Sequence, residues 1–382
     1  MSRISGFKKF YKEVKIDFDM DKVFVTKPFL PPREDLERYI DRIYQTKILT
    51  NQGPLLKEFE KLLKDYLGVE NLHFVTNGTL ALQLALRSLD IEEGSEILTT
   101  PFSYVATCSS ILWERFIPIF IDIKEENFTI DPEKIEKKIG PKTKAILATH
   151  VFGYACDVER IKEIADKHSL KIIYDGAHCF GSKYKGKALS LYGDISTLSF
   201  HATKLFNTIE GGACITKDQK ISKEIGLKKR FGHYYDEYET VGINAKASEF
   251  QAAMGLANFP YLSEIISHRK HISKIYDEEL KNTKLKRPKT QDFLEYNYSY
   301  HPIIFESEEQ LVEVLKALKE EEIYPRRYFY PSLNELKYVE YSPCPISEEI
   351  SRKIACLPLY SGLEEETAKK ICKIIKKGLS NE

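Results

Sequence analysis

Lys204 sits where carbonyl chemistry is feasible. It closes Ser199-Phe200-His201-Ala202-Thr203-Lys204, is followed by Glu210-Gly211-Gly212, and comes 29 positions after Asp175, which ends the apolar run Ile172-Ile173-Tyr174. A lysine amine condenses with an aldehyde to a Schiff base, and a carboxylate holds a proton on a pyridine nitrogen so that the ring can accept electrons. An acid at a strand end followed by a lysine in a loop is the pair that pyridoxal phosphate chemistry needs. The bland alternative is a solvated lysine, one of 57 lysines and arginines in the chain. Phe200, Leu205 and Phe206 argue against it. Partial burial among such side chains lowers an amine's pKa and frees it to act as nucleophile and base. Gly211 and Gly212 allow backbone to pass close by.

Other residues could complete such a site, each with an ordinary alternative. Asn77-Gly78-Thr79 precedes a very apolar segment. Exposed amides at a helix N-terminus favour a phosphate, and the Thr79 hydroxyl adds a bond; simple capping by Asn77 or Thr79 explains the same residues. Tyr104, in Pro101-Phe102-Ser103-Tyr104-Val105-Ala106-Thr107, could stack on a flat ring or be core. A carboxylate buried at the end of a strand is costly unless paired. A protonated pyridine nitrogen would pair with Asp175 through a charge-assisted hydrogen bond; otherwise Asp175 caps the next turn. His178 could reach a cofactor ring or be a hydrogen-bonded core histidine.

These residues act together only if the fold gathers them. Short apolar runs at 72–76, 96–99, 117–121, 145–150, 171–175, 195–200 and 212–216 read as strands. Helical patterns at 78–89 and 158–168 lie between them, and another begins at Pro54 and stops at Gly68. The alternation predicts an α/β fold with a mostly parallel sheet covered on both faces. In such sheets ligands bind beyond the carboxyl ends of the strands, where the candidate residues fall. From residue 261 the pattern changes to a helix over 262–282, a strand over 298–305 and helices over 308–320 and 364–377. The expected division is an N-terminal extension over 1–25, a large domain over 26–260 and a smaller α+β domain over 261–382.

Composition narrows the function. Lys plus Arg and Asp plus Glu both number 57, so net charge is zero and nothing points to nucleic acid or an anionic membrane. No long apolar segment reads as a membrane span, and no signal peptide is visible, so a cytoplasmic enzyme is expected. The seven cysteines form no CxxC pair, which favours reduced thiols over a disulfide framework or a zinc site. No GxGxxG follows an early strand, which disfavours a dinucleotide-binding dehydrogenase.

Seven motifs resemble the DegT/DnrJ/EryC1/StrS aminotransferases: TNQGPLLKEFE (50–60), NGTLALQLAL (77–86), PFSYVAT (101–107), YDGAHCFG (174–181), SFHATKLFNTIEGG (199–212), GINAKASEFQAAMG (242–255) and CLPLYSGL (356–363). The resemblance runs from about Val25 to the C-terminal helix. It implies the aspartate aminotransferase fold (fold type I), with a seven-stranded sheet in the large domain, and pyridoxal phosphate as cofactor. It further implies that Lys204 binds the cofactor covalently, Asp175 pairs with the pyridine nitrogen, Tyr104 stacks on the ring and His178 lies near the ring oxygen. Gly78, Thr79 and Ser199 would bind the phosphate. Asn244 would reach the phosphate of a neighbouring subunit, since the family's active sites lie between the two chains of a homodimer. Lys246 stands where family members often carry arginine, which puts an arginine-specific contact in doubt. A related branch of sugar dehydratases has histidine in place of the lysine; Lys204 disfavours that chemistry.

Within the family, VTKPFLPP (25–32) and the 199–212 and 242–255 motifs resemble enzymes that aminate dTDP-4-keto-6-deoxyglucose to dTDP-4-amino-4,6-dideoxyglucose. YPRRYFYPSLN (324–334) resembles those that aminate the 3-keto isomer. L-glutamate is the implied donor, in a two-stage ping-pong cycle in which Lys204 moves the proton. Arg326 and Arg327, with Tyr330 beside them, are candidates to meet the substrate's pyrophosphate, arginine matching phosphate geometry; an exposed basic loop is the alternative. Surface polysaccharide such as the O-antigen of lipopolysaccharide, or a glycosylated metabolite, is the implied destination of the product. A non-catalytic regulator that keeps the fold is the competing class, and the intact Lys204 and Asp175 speak against it.

Overall fold

The computed structural model describes residues 22–380; the expected N-terminal extension lies outside them as far as residue 21. Helix α1 (Arg33–Thr46) leads to α2 (Pro54–Leu67). Pro54 opens α2, where its missing N–H is no loss, and Gly68 ends it at φ 69°, a left-handed conformation that glycine adopts without strain.

Seven strands follow: β1 (Asn71–Val75), β2 (Glu96–Thr99), β3 (Ile117–Phe120), β4 (Thr143–Thr149), β5 (Lys171–Asp175), β6 (Ile195–Ser199) and β7 (Gly212–Thr216). They form one sheet in the order β1-β7-β6-β5-β4-β2-β3. Only β7 is antiparallel to its neighbours, β1 and β6. The other six strands point the same way, so their carboxyl ends share one edge of the sheet. Side chains alternate across the strands. Ile97, Leu147 and Ile173 pack on one face with α3 (Gly78–Arg87). Leu98, Ile146 and Ile172 pack on the other, among them Ile161 and Ile164 of a helix over Val158–His168. Burial on both faces explains why the strands read as continuous apolar runs.

Helix α4 (Val105–Trp113) follows β2, and α5 is the helix over Val158–His168. The sequence left α4 unassigned, along with α6 (Gln219–Lys228) and α7 (Glu249–Asn258). Nearly every residue of α7 is buried, so it has no amphipathic stripe for periodicity to find. Its capping box was the available signal: Ser248 accepts from the Gln251 N–H and the Gln251 side chain accepts from the Ser248 N–H.

Helix α8 (Leu262–Leu280) joins two cores. Leu262 and Ile265 pack with Phe59, Phe200 and Phe206. Ile272 and Tyr276 pack in a second core with Ile303, Val314, Leu357 and Ile371. That core holds α9 (Glu308–Glu320), α11 (Glu365–Leu379) and the antiparallel strands β8 (His301–Ile304) and β9 (Ile354–Leu357), with α10 (Pro345–Lys353) leading into β9. Val23–Phe24 pairs in parallel with Ile323–Tyr324 and so attaches the start of the described chain to this smaller body.

Candidate active site

The carboxyl ends of β1, β2, β5 and β6 open into a cavity of about 660 Å³, a size typical of small-molecule sites. Gly78, Thr79, Tyr104, Asp175, His178, Ser199, Lys204 and Arg326 all line it. Asn244, Arg327 and Tyr330 do not.

Asp175 is 4% exposed. Its Oδ1 accepts from the Ala177 N–H at 3.0 Å and its Oδ2 from the Thr107 hydroxyl at 2.7 Å. The turn-capping alternative is therefore real, yet it uses only part of the carboxylate's capacity. Among the described residues no cation lies within ion-pair distance of Asp175, which leaves a buried charge facing the cavity.

Lys204 is held by a loop anchored at both ends. The Phe200 N–H donates to Gly211 O, the Thr208 N–H to Phe200 O and the Lys204 N–H to His201 O, each at 2.8 Å. Leu205 and Phe206 are buried in the aromatic core below. Loss of hydration outweighs the attraction of Asp175 and Tyr104 and lowers the Lys204 amine to about 8. A far larger share of the amine is then neutral near physiological pH than in an ordinary lysine. Lys204 is partly buried and lines the cavity, which speaks against a solvated surface lysine.

His178 is buried, and its Nδ1 accepts from the Phe152 N–H at 3.1 Å. A neutral imidazole with that acceptor carries its proton on Nε2. Burial, and secondarily the charge on Lys204, hold its pKa well below the usual value. Phe329 lies nearly parallel to it at 5.7 Å.

Asn77 does cap α3, its Oδ1 accepting from the Leu80 N–H at 2.9 Å. The Gly78 and Thr79 amides find no acceptor among the described residues and carry the positive end of the helix dipole. Small residues leave this space open. A Cβ on Gly78 would lie 2.9 Å from Ser199 Cβ, and one on Gly212 would lie 2.5 Å from Asn77 O. The close approach of β7 to α3 thus requires glycine. An acid with no ion-pair partner among the described residues, an amine lowered by burial and a helix end with two unpartnered amides, all at one cavity, fit a flat, phosphorylated aldehyde.

Tyr104 is the residue before α4 and is 53% exposed, which removes the core alternative for it. Arg326 pairs in extended backbone with Cys356 of β9, and its guanidinium lies 5.3 Å from the Tyr328 ring. Arg327 turns away. It donates to Glu308 Oε1 at 2.6 Å and to Arg352 O at 2.9 Å, and covers the Tyr330 ring at 3.7 Å. The chain turns directly after the Arg326 bridge, with the Tyr328 N–H donating to Arg326 O at 2.9 Å and the Tyr330 N–H to Arg327 O at 3.1 Å, so the two arginines of one motif part company. Asn244 is exposed, opposite Arg230 in a short antiparallel bridge. Lys246 Nζ lies over the Phe231 ring at 5.0 Å.

A sequence model of the DegT/DnrJ/EryC1/StrS aminotransferase family matches residues 32–376. The chain belongs to this family. It is 37% identical over 365 residues to the dTDP-4-amino-4,6-dideoxy-D-glucose transaminase of Shigella dysenteriae, covering 93% of this chain and 98% of that one. It is 38% identical over 370 residues to the Escherichia coli enzyme of the same name, covering 92% and 97%. The crystal structure of DesI in the presence of its TDP-sugar product matches with a TM-score of 0.89 and 26% identity over 94% of each chain. The fold is that of pyridoxal phosphate-dependent sugar aminotransferases, as the motifs led one to expect.

The sequence reading did not pick out Thr107, which stands behind this aminotransferase's cavity, or Tyr300 and Phe329, which line it. Thr107 touches Asp175 and sits one helical turn from Tyr104, inside a motif already noted for its aromatic residue. Tyr300, Tyr328 and Phe329 complete the wall on the side of the smaller body. Tyr328 and Phe329 were visible as an aromatic cluster beside Arg326, whereas Tyr300 carried no signal apart from its apolar neighbours.

Proposed function

We propose that this aminotransferase transfers the amino group of L-glutamate to the 4-keto carbon of dTDP-4-keto-6-deoxyglucose, giving dTDP-4-amino-4,6-dideoxyglucose. The observation that carries the catalytic part is the single cavity that Lys204 shares with the buried Asp175, where burial also lowers the amine. The names of the two relatives at 37% and 38% identity support the 4-keto sugar over its 3-keto isomer. Product identification by NMR, starting from dTDP-4-keto-6-deoxyglucose and glutamate, tests the assignment. Amination of the 3-keto isomer alone overturns it.

Bound pyridoxal phosphate supplies the sink for the electron pair released when a proton leaves the carbon bearing the amine. The protein's groups divide the remaining work. Lys204 would hold the cofactor covalently between turnovers and, once freed, its amine would carry the proton in each half of the cycle. Asp175 would keep a proton on the ring nitrogen. The His178 Nε2–H would donate to the ring oxygen, and Tyr104 would cover a ring face. The Gly78 and Thr79 amides, with the Thr79 and Ser199 hydroxyls, would hold the phosphate. Arg326 meets the negative charge of the nucleotide sugar.

A homodimer with its sites at the subunit interface accounts for Asn244, which lies outside its own chain's cavity. Exposed Tyr235, Tyr238 and Val241 around the neighbouring hairpin support it. No helix among the described residues is long and apolar enough to cross a membrane; we place the enzyme in the cytoplasm. Its amino sugar would serve surface polysaccharide such as the O-antigen of lipopolysaccharide. Sedimentation and cell fractionation check the first two points.

A further inference from the structure

Behind Asp175 stands a line of three buried hydroxyls to which the cycle above gives no part. Thr149 closes β4, Ser103 lies in the loop after β2, and Thr107 is in the first turn of α4. They are 1%, 2% and 0% exposed. Thr149 Oγ1 lies 3.1 Å from Ser103 Oγ, Ser103 Oγ lies 2.7 Å from Thr107 Oγ1, and Thr107 Oγ1 lies 2.7 Å from Asp175 Oδ2. With Asp175 as a carboxylate, the direction of every proton follows. A carboxylate only accepts, so Thr107 must donate to Asp175. Its hydrogen being spent there, Ser103 must donate to Thr107, and Thr149 to Ser103. Each donation polarises the next hydroxyl and strengthens the last bond in a site screened from water.

The line pins Oδ2, and the Ala177 N–H pins Oδ1. The plane of the carboxylate is thus set by protein before any ligand arrives. Ser103 and Thr107 flank Tyr104 in the segment that follows β2, so ring face and ring nitrogen would be addressed from one segment.

We propose that Thr107, backed by Ser103 and Thr149, is a positioning residue that aims the Asp175 carboxylate at the ring nitrogen of pyridoxal phosphate. This rests on the reading that Asp175 pairs with that nitrogen. The test is to titrate the cofactor-free protein with pyridoxal phosphate and with its deaza analogue, whose ring carries CH in place of the nitrogen. Thr107→Val removes the hydroxyl and keeps the shape. It weakens pyridoxal phosphate binding about tenfold or more and leaves binding of the analogue unchanged. Thr107→Ser retains the wild-type preference. Ser103→Ala lowers the preference less, and Thr149→Val least. If Thr107→Val binds both compounds as the wild type does, or loses both alike, the proposal is overturned. Should that variant not fold, Ser103→Ala leaves Thr107 in place and decides by the same comparison. Asp175→Ala separates the two levels. If it keeps the preference for the nitrogen-bearing ring, the pairing itself is wrong. If it loses the preference while Thr107→Val and Ser103→Ala keep it, the hydroxyl line alone fails.

Discussion

The two sides of the cavity are built on different principles. On the sheet side, Asp175, Thr107 and Ser199 come from strand ends and a helix start far apart in sequence, and they are held by buried hydrogen bonds or close backbone contact. On the side of the smaller body, Arg326, Tyr328 and Phe329 come from one continuous segment, with Tyr300 added from just before β8. There the cavity-lining arginine is held by a ring contact and one short backbone bridge. Covalent chemistry needs groups fixed to within fractions of an ångström, which a packed sheet edge provides. Recognition of a charged, extended substrate needs charge in roughly the right place, which a single segment can supply.

The largest effect that sharpens this contrast is at the amine. Lys204→Ala should lower turnover by about a thousandfold or more. Borohydride reduction of the wild-type holoenzyme should place the cofactor's mass on the peptide containing residue 204, and a label elsewhere would refute the assignment. Asp175→Asn, which keeps shape but not charge, should lower kcat by about a hundredfold, the scale of one bond to a charged group. Measurable kcat at wild-type level would break the sheet side of the comparison.

On the opposite wall, Arg326→Ala should raise KM for the nucleotide sugar about tenfold and leave the glutamate half-reaction alone. Arg327→Ala should leave KM unchanged and reduce stability by at most about 1 kcal/mol, because its ion pair with Glu308 is partly exposed. An equal rise in KM for both arginines would mean that the two side chains do not part as described.

The smallest effect is in pH. The Lys204 amine is lowered from 10.5 to about 8, chiefly by burial. The rate at which cofactor-free protein captures pyridoxal phosphate should rise to about pH 8 and then level off. Between about pH 8 and 10.5 the unfolded chain keeps a proton that the folded chain has lost. This group therefore makes the folded state relatively more stable as pH rises through that window. A capture rate still climbing near pH 10 would return Lys204 to an ordinary solvated amine.

Much of the sheet could be read before the structure was in view. Strands at 96–99 and 212–216 and helices at 158–168 and 308–320 fall where apolar runs and periodicity placed them. What stayed hidden had no local signature. Helix α7 is buried all round, and Thr107 gives no sign in sequence that its hydroxyl meets an acid 68 positions away. Arg326 and Arg327 look alike in a string of letters, and only backbone direction divides them.

The chain's own order of residues was enough to point to the family, to most strands of the sheet and to Lys204 and Asp175 as candidates, because strand patterning and motif spacing are local and survive without coordinates. Folding alone decided which hydroxyls stand behind Asp175, which of two adjacent arginines enters the cavity, and how far burial lowers the Lys204 amine. Those properties depend on distance and solvation between groups remote in the chain, and neither quantity exists until the cores on both faces of the sheet have closed.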